Sequence, residues 1–164
     1  MRTLRPTKWQ LLKVWIMSYA SLLLLSFMVG IMVVVQGGLN ARLGIHLNSP
    51  LLATTAALSI SACFTIVAVL ITVRQFPSIQ QLKVIPPYLW FTGAIFSFIA
   101  VTLFYYLIPK LGISTAVSFG LYGQILFSMI SAHYGWFGLP VEPIAIKKII
   151  GTMAMIAGIF LIKY

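Results

Sequence analysis

The stretch PLLATTAALSISACFTIVAVLITV, residues 50–73, decides the fold because it holds no charged side chain over its whole length. A membrane-spanning helix needs about 20 mostly apolar residues. Pro50 is suited to the first turn of a helix, and Asn48 or Ser49 before it is suited to cap the N-terminus. The stretch therefore predicts a transmembrane helix that begins at Pro50.

The rest of the chain has the same composition. Of its 164 residues, 61% are hydrophobic and 7% are charged, whereas soluble domains carry about 25% charged residues. We predict further spans at residues 14–35, 88–108, 113–132 and 144–162. The predicted fold is all-α, a bundle of five transmembrane helices that forms a single domain over residues 1–164. Because the span at 113–132 is rich in Ser and Gly, the alternative is four spans and a re-entrant segment.

The distribution of Lys and Arg predicts the orientation. Most of them fall on one side of the predicted bundle: Arg2, Arg5, Lys8, Lys13, Arg74, Lys83, Lys147 and Lys148. The other side holds Arg42, Lys110 and Lys163. The positive-inside rule then places the N-terminus in the cytoplasm and the C-terminus outside. Charges scattered over short gaps do not form the clustered basic patch that nucleic-acid binding needs.

Four polar residues near or within the spans form the predicted substrate path. Gln36 and Asn40 lie four residues apart and share a helix face, as do Gln124 and Ser128. A primary amide in the hydrocarbon layer needs hydrogen-bond partners or water. One alternative is that Ser128 only contributes to a helix–helix contact. Another is that the first helix ends at Gly37–Gly38 and a wet loop follows.

Small residues predict where helices pack, since helices in lipid associate by close approach of their backbones. The predicted packing residues are Gly93, Ser97, Gly120, Gly151 and Gly158. Aromatic residues near span ends, Trp90 and Tyr105 among them, are expected at the membrane interface.

The acidic residues are informative by their scarcity. The chain has a single acid, Glu142, in a predicted cytoplasmic loop, and a single cysteine, Cys63. Proton-coupled exporters commonly use a carboxylate within the membrane. No acid–base pair, activated nucleophile or metal-ligand set is present in the sequence. We therefore expect that the chain is not an enzyme and holds no metal or cofactor. Because no acid lies within the spans, we expect that any transported solute is neutral or anionic, or that a partner supplies the coupling to an ion.

Several short motifs in a fixed order resemble a known family. They are Gln36, Asn40, Leu43 and Gly44 with Ser49–Pro50; Trp90 and Gly93; PKLG at 109–112; Gly123–Gln124 with Ser128; Gly135, Gly138 and Pro140; and Lys148 with Gly151. In this pattern the chain resembles the YdcZ-like family of small bacterial inner-membrane proteins, within the drug/metabolite transporter superfamily. It departs from the family pattern at Ala132, where the family tends to have an aspartate, and at Ala94, where it tends to have a second glycine.

The resemblance implies a half-size transporter that moves a small organic solute across the bacterial inner membrane. Larger members of the superfamily contain two five-helix halves in inverted orientation, so the chain is expected to act in a dimer or in a hetero-pair with another small membrane protein. An inverted homodimer requires weak charge bias, and the bias here is strong. The missing aspartate leaves open a non-transporting membrane subunit of a larger complex. The basic cytoplasmic side, which can attract membrane lipid, leaves open a lipid or amphiphile handling protein.

Overall fold

A computed structural model describes residues 19–138 and 140–163, and every regular element in them is helical. The helices are α1 (Tyr19–His46), α2 (Pro50–Thr72), α3 (Ile79–Val84), α4 (Pro87–Leu111), α5 (Ile113–His133) and α6 (Ile146–Lys163), with a 3₁₀ turn at Trp136–Gly138. No strand occurs in this described part. The predicted all-α class is confirmed.

Four of the described helices are long and apolar enough to cross a membrane. They are α1 from Ser21 onward, α2, α4 and α5. The fourth predicted span is thus a helix of 21 residues, about 32 Å long. That length matches the ~30 Å of hydrocarbon in a bilayer.

The fifth predicted span, 144–162, is not confirmed. Helix α6 occupies this region, but its 18 residues include Lys147, Lys148 and Lys163. Between Lys148 and Lys163 the helix rises roughly 22 Å, which is less than the ~30 Å of hydrocarbon. The described chain therefore supports four spans and a shorter, lysine-flanked sixth helix.

Helix α1 corrects the prediction that the first span ends at residue 35. It continues through Gly37–Gly38 to His46. Glycines in a helix cost about 1 kcal/mol each relative to alanine. Here they allow close packing: a Cβ added to Gly37 would lie 3.0 Å from Phe104 Cε1, and one added to Gly38 would lie 3.0 Å from Ile113 Cδ1. The glycine pair therefore marks a helix–helix contact and not a helix end.

The turn from α1 to α2 agrees with the local signals in the sequence. Asn48 adopts a left-handed conformation with φ 50°, which asparagine tolerates at helix C-termini. Ser49 is the N-cap of α2, and its side chain accepts a hydrogen bond from the Leu52 backbone N–H at 3.3 Å. Of the two cap candidates, Ser49 is the correct one, and Pro50 lies in the first turn as predicted.

The junction of α4 and α5 is shorter than the predicted PKLG loop. Pro109, Lys110 and Leu111 belong to the last turn of α4, and Gly112 alone joins the two helices. Gly112 has φ 82° and ψ 150°, a conformation that favours glycine, and its N–H donates to the Ile108 carbonyl at 3.0 Å. A link of one residue between packed helices makes α4 and α5 antiparallel neighbours.

The chain divides into two compact units, Met1–Gln36 and Gly37–Tyr164. The described part of the first unit is helix α1 up to Gln36, where the Ser26 hydroxyl donates to the Leu22 carbonyl at 2.9 Å.

In the second unit α2 packs on α4, α4 on α5, and α5 on α6. Its buried cluster is small and consists of Ala41, Ala53, Tyr105, Ile108 and Ala116. Large apolar side chains outside this cluster are mostly exposed, as Phe64 and Phe96 are at 73% each. Such surfaces suit contact with lipid tails. Lipid tails are as apolar as these side chains, so no hydrophobic free energy is gained by burying them inside the protein.

Candidate functional site

A polar pair lies in the buried cluster of the second unit. The Asn40 amide, Nδ2, on α1 donates a hydrogen bond of 2.9 Å to the hydroxyl of Tyr105 on α4. Tyr105 is only 3% exposed, so its side chain packs against neighbouring helices; its depth at the membrane interface stays a prediction. The bond gives the amide the partner that a polar group needs in apolar surroundings. It ties α1 to α4 at one point within the spans.

A cavity of about 240 Å³ lies next to this pair, where α1 ends, α2 begins and α4 ends. We call it the α1–α4 cavity. Its lining includes Gly44, Asn48, Ser49, Pro50, Tyr105 and Lys110. The Lys110 ammonium donates to the Tyr106 hydroxyl and lies 4.0 Å from the centroid of that ring. A cation held over an aromatic face gains a favourable electrostatic interaction, so the positive charge at this cavity is held in place.

A second cavity of about 500 Å³ lies between α5 and α6. We call it the polar α5–α6 cavity. Four polar side chains contribute to its lining: Ser128, Glu142, Lys148 and Thr152. Ile125, Met129 and Met155 form its apolar wall. The α1–α4 cavity is lined by Lys110 at the end of α4, three residues before α5 begins at Ile113. Ser128 is roughly 22 Å further along α5, so the two cavities lie near opposite ends of this helix.

An ion pair defines the rim of the polar α5–α6 cavity. Lys148 Nζ lies 2.8 Å from Glu142 Oε2. The Glu142 backbone N–H donates to the Ala132 carbonyl at 2.9 Å, which ties the loop before α6 to the end of α5. The hydrogen bond from Lys148 and its positive charge hold the pKa of the Glu142 carboxyl below its ordinary value. The chain's one acid is therefore ionised at neutral pH.

Thr152 supports the same wall from within. It is buried at 7% exposure, and its hydroxyl lies 2.9 Å from the Lys148 carbonyl and 3.1 Å from the Met129 sulfur. These contacts link the first turns of α6 to α5. The backbone that carries Lys148 is thereby fixed, while its ammonium remains free to change partner.

The four predicted path residues do not share one cavity in the described structure. Asn40 is half-buried and bonded to Tyr105 of the buried cluster, and Ser128 lines the polar α5–α6 cavity. Gln124 is exposed on α5, where its side chain makes no hydrogen bond to the described residues. Gln36 is exposed in the first unit. The path through these residues stays a prediction.

The five predicted packing residues occupy three kinds of position. Gly120 faces α4, because a Cβ there would lie 3.7 Å from Phe104 Cε2. Gly151 and Gly158 line a further cavity of about 490 Å³ between α5 and α6, with Leu121 and Ile159 on its wall. We call it the apolar α5–α6 cavity.

The other two residues lie on an open face of α4. Gly93 and Ser97 are both exposed, and a Cβ added to Gly93 would meet no described atom within 4 Å. Within the described chain this face has no neighbour.

Tyr105 and the Glu142–Lys148 pair are site residues that the sequence pattern did not predict. Tyr105 lies three residues before the buried Ile108, on the same face of α4, and that spacing was the available signal. For the pair, the signal was a lone acid followed closely by lysines in a strongly basic chain. A separation of six residues across a loop does not by itself predict a contact.

These features define the class of protein. Several span-capable helices, with polar cavities at the two ends of one of them, are those of a multi-pass membrane protein of the transporter type. Residues 21–161 match the model of the family described as "Putative inner membrane exporter, YdcZ", so the chain belongs to this family. The resemblance found in the sequence and the inner-membrane location are confirmed. No curated protein and no solved structure matches the chain.

Proposed function

We propose that the chain is a half-size exporter that moves a small organic solute across the bacterial inner membrane by alternating access. The observation that carries this proposal is the placement of two polar cavities at opposite ends of α5. The Asn40–Tyr105 hydrogen bond adds a buried polar contact between spans, where a transporter changes shape. Transporters built from inverted repeats place their solute sites near the bilayer midplane, at the contact between the repeats.

The proposed topology has five spans, with the N-terminus in the cytoplasm and the C-terminus outside. Helix α6 is the fifth span, and Lys147 and Lys148 near its start extend their ammonium groups to the interface. In this orientation the polar α5–α6 cavity faces the cytoplasm, where an exporter collects solute. The α1–α4 cavity faces outward. A reporter fused to the C-terminus should be active only outside the membrane, and a cytoplasmic signal from a large share of molecules would refute this topology.

A half-size exporter needs a second half. The exposed face of α4 at Gly93 and Ser97 offers the close backbone approach through which membrane helices associate. The strong charge bias favours one orientation for every copy. The proposed partner is therefore a parallel second copy or a different, oppositely oriented small membrane protein.

The same exposed face is compatible with a second candidate function, a non-transporting subunit of a larger complex. Purification in mild detergent separates the candidates. A monomer or dimer that binds solute supports the exporter, whereas a stable complex with a larger protein and no solute binding supports the subunit.

The direct test of export uses purified protein in liposomes loaded with labelled small organic solutes. Efflux that depends on the protein is expected. Gln124→Leu should abolish it while the protein still inserts, because the exposed amide is a proposed solute contact. Full activity of Gln124→Leu would remove this residue from the path. Asn40→Leu should also lose efflux; loss of insertion instead would make Asn40 a structural joint between α1 and α4.

A further inference from the structure

The polar α5–α6 cavity carries an inference about the class of solute, which rests on the proposed export function. Its volume of about 500 Å³ lies within the 300–1,000 Å³ typical of small-molecule sites. Its rim holds one carboxylate and one ammonium 2.8 Å apart, Glu142 and Lys148. We infer that this cavity binds a small zwitterion, with the ligand's ammonium on Glu142, its carboxylate on Lys148, and an apolar side chain against Ile125, Met129 and Met155.

Charge balance favours a zwitterion over a simple ion. A lone anion on Lys148 would lie beside the Glu142 carboxylate, and a lone cation on Glu142 would lie beside the Lys148 ammonium. Like charges at this separation repel. A zwitterion places each of its charges opposite the complementary one and leaves no charge unpaired. The net charge of the cavity does not change when it binds.

The ion pair can open to admit such a ligand. The side chains of Lys148 and Glu142 are 42% and 65% exposed, and exposed pairs contribute little to stability. The backbones behind them are fixed, Glu142 by the Ala132 carbonyl and Lys148 by the buried Thr152 hydroxyl. Both charges therefore stay at the rim when their mutual contact is broken. Without ligand, the Lys148 ammonium occupies the position that the ligand's ammonium takes beside Glu142, and the Glu142 carboxylate occupies the position of the ligand's carboxylate.

The apolar wall of the cavity favours a ligand with an apolar side chain. Ile125, Met129 and Met155 offer an apolar surface, and methionine side chains adapt to ligands of different shape. An aliphatic α-amino acid has the required features, with its two charged groups on one carbon and an apolar side chain beside them. Leucine is a suitable probe because two small analogues are available, each of which lacks one of its two charged groups.

The test measures binding to purified full-length protein in mild detergent by isothermal titration calorimetry. The three probes are leucine, 4-methylpentanoate, which lacks the ammonium, and 3-methylbutylamine, which lacks the carboxylate. Leucine should bind about tenfold or more tightly than either analogue, since each lost charged contact leaves a charge without its partner. Equal affinity for the three probes, or no leucine binding, overturns the inference.

Substitutions at the rim test the assignment of each charge. Glu142→Gln should weaken leucine by about tenfold and leave 4-methylpentanoate as tight or tighter, because the anion no longer meets a carboxylate. Lys148→Gln should likewise weaken leucine by about tenfold and leave 3-methylbutylamine as tight or tighter, because the cation no longer meets an ammonium. Lys147→Gln is the matched control, since Lys147 carries the same charge one residue away and does not line the cavity; it should change none of the affinities. Similar losses for all three probes in every variant would show a structural effect and overturn the assignment.

Different results refute the export proposal and the inference about the solute class. Efflux of other solutes without leucine binding refutes the zwitterion and leaves the exporter. Leucine binding without protein-dependent efflux of leucine or of any other solute supports the cavity and refutes the exporter.

Discussion

The Asn40–Tyr105 hydrogen bond predicts a measurable coupling between two helices. Tyr105→Phe removes one hydroxyl from a residue that is 3% exposed and leaves the Asn40 amide without its partner. Asn40→Ala leaves the buried hydroxyl without a partner in the same way. Side-chain hydrogen bonds between membrane helices contribute about 0.6 kcal/mol on average and up to about 1.7. We expect each single variant to lose about 1 kcal/mol and the two to couple by about 1 kcal/mol, because the bond has good length and its acceptor, the Tyr105 hydroxyl, belongs to a buried residue.

The assay is reversible unfolding in mixed micelles with increasing SDS, for the wild type, both single variants and the double variant. Tyr88→Phe is the control, because Tyr88 is also on α4 but is 62% exposed. It should change stability by less than about 0.5 kcal/mol. Additivity of the two variants to within about 0.3 kcal/mol would refute the bond as a stabilising contact.

Three further predictions concern packing, protonation and the solute path. Gly37→Ala should destabilise the protein by about 1 kcal/mol in the same SDS assay, because its Cβ would press on Phe104 at 3.0 Å and the gain in helix propensity offsets only part of that. Gly123→Ala, where a Cβ would meet no described atom within 4 Å, should cause no loss; equal losses for both would contradict the close approach. Selective ¹³C-glutamate labelling gives a single side-chain carboxyl signal, from Glu142. The midpoint of this signal should lie below the ordinary pKa of a glutamate side chain and move back toward it in Lys148→Gln, because the ion pair is lost as pH falls through the lowered pKa. The same midpoint in both proteins would refute the pairing. Gln124→Leu should abolish efflux at normal insertion measured by membrane fractionation, because the solute loses a hydrogen-bonding partner on its path.

Much of the helical architecture follows from local sequence. Helix α2 was predictable because its apolar run, its proline and the capping serine before it all act within a few residues. Helices α4 and α5 were placed to within a few residues by the same kind of signal. Four apolar runs of span length were therefore readable without any knowledge of packing.

The errors lie where packing outweighs local preference. Gly37–Gly38 predicts a helix end when each glycine is considered by its propensity alone, but the pair lies opposite Phe104 and Ile113, where a side chain would not fit. Pro109 predicts a loop, yet a proline in the last turn of a helix removes only one backbone hydrogen bond. The glycine pair depends on neighbours that are distant in sequence, whereas the proline is accommodated within its own helical turn.

The candidate site was partly predictable for the same reason. Asn40 was identifiable because an amide near an apolar run needs a partner. The identity of that partner, Tyr105, depends on how α1 meets α4. Likewise, Lys148 was recognised within a family motif, but its ion pair with Glu142 depends on the path of the loop before α6. Local sequence shows which groups need partners, and only the fold shows which partners they obtain.

Solute efflux from liposomes that contain the purified protein tests the exporter proposal most directly. The liposomes are loaded with labelled leucine and, separately, with labelled neutral and anionic organic solutes, and efflux is compared with protein-free liposomes and with Gln124→Leu. Protein-dependent efflux of at least one solute, lost in Gln124→Leu, is the expected result. Efflux equal to the protein-free leak for every solute would contradict the proposal that this inner-membrane protein is an exporter.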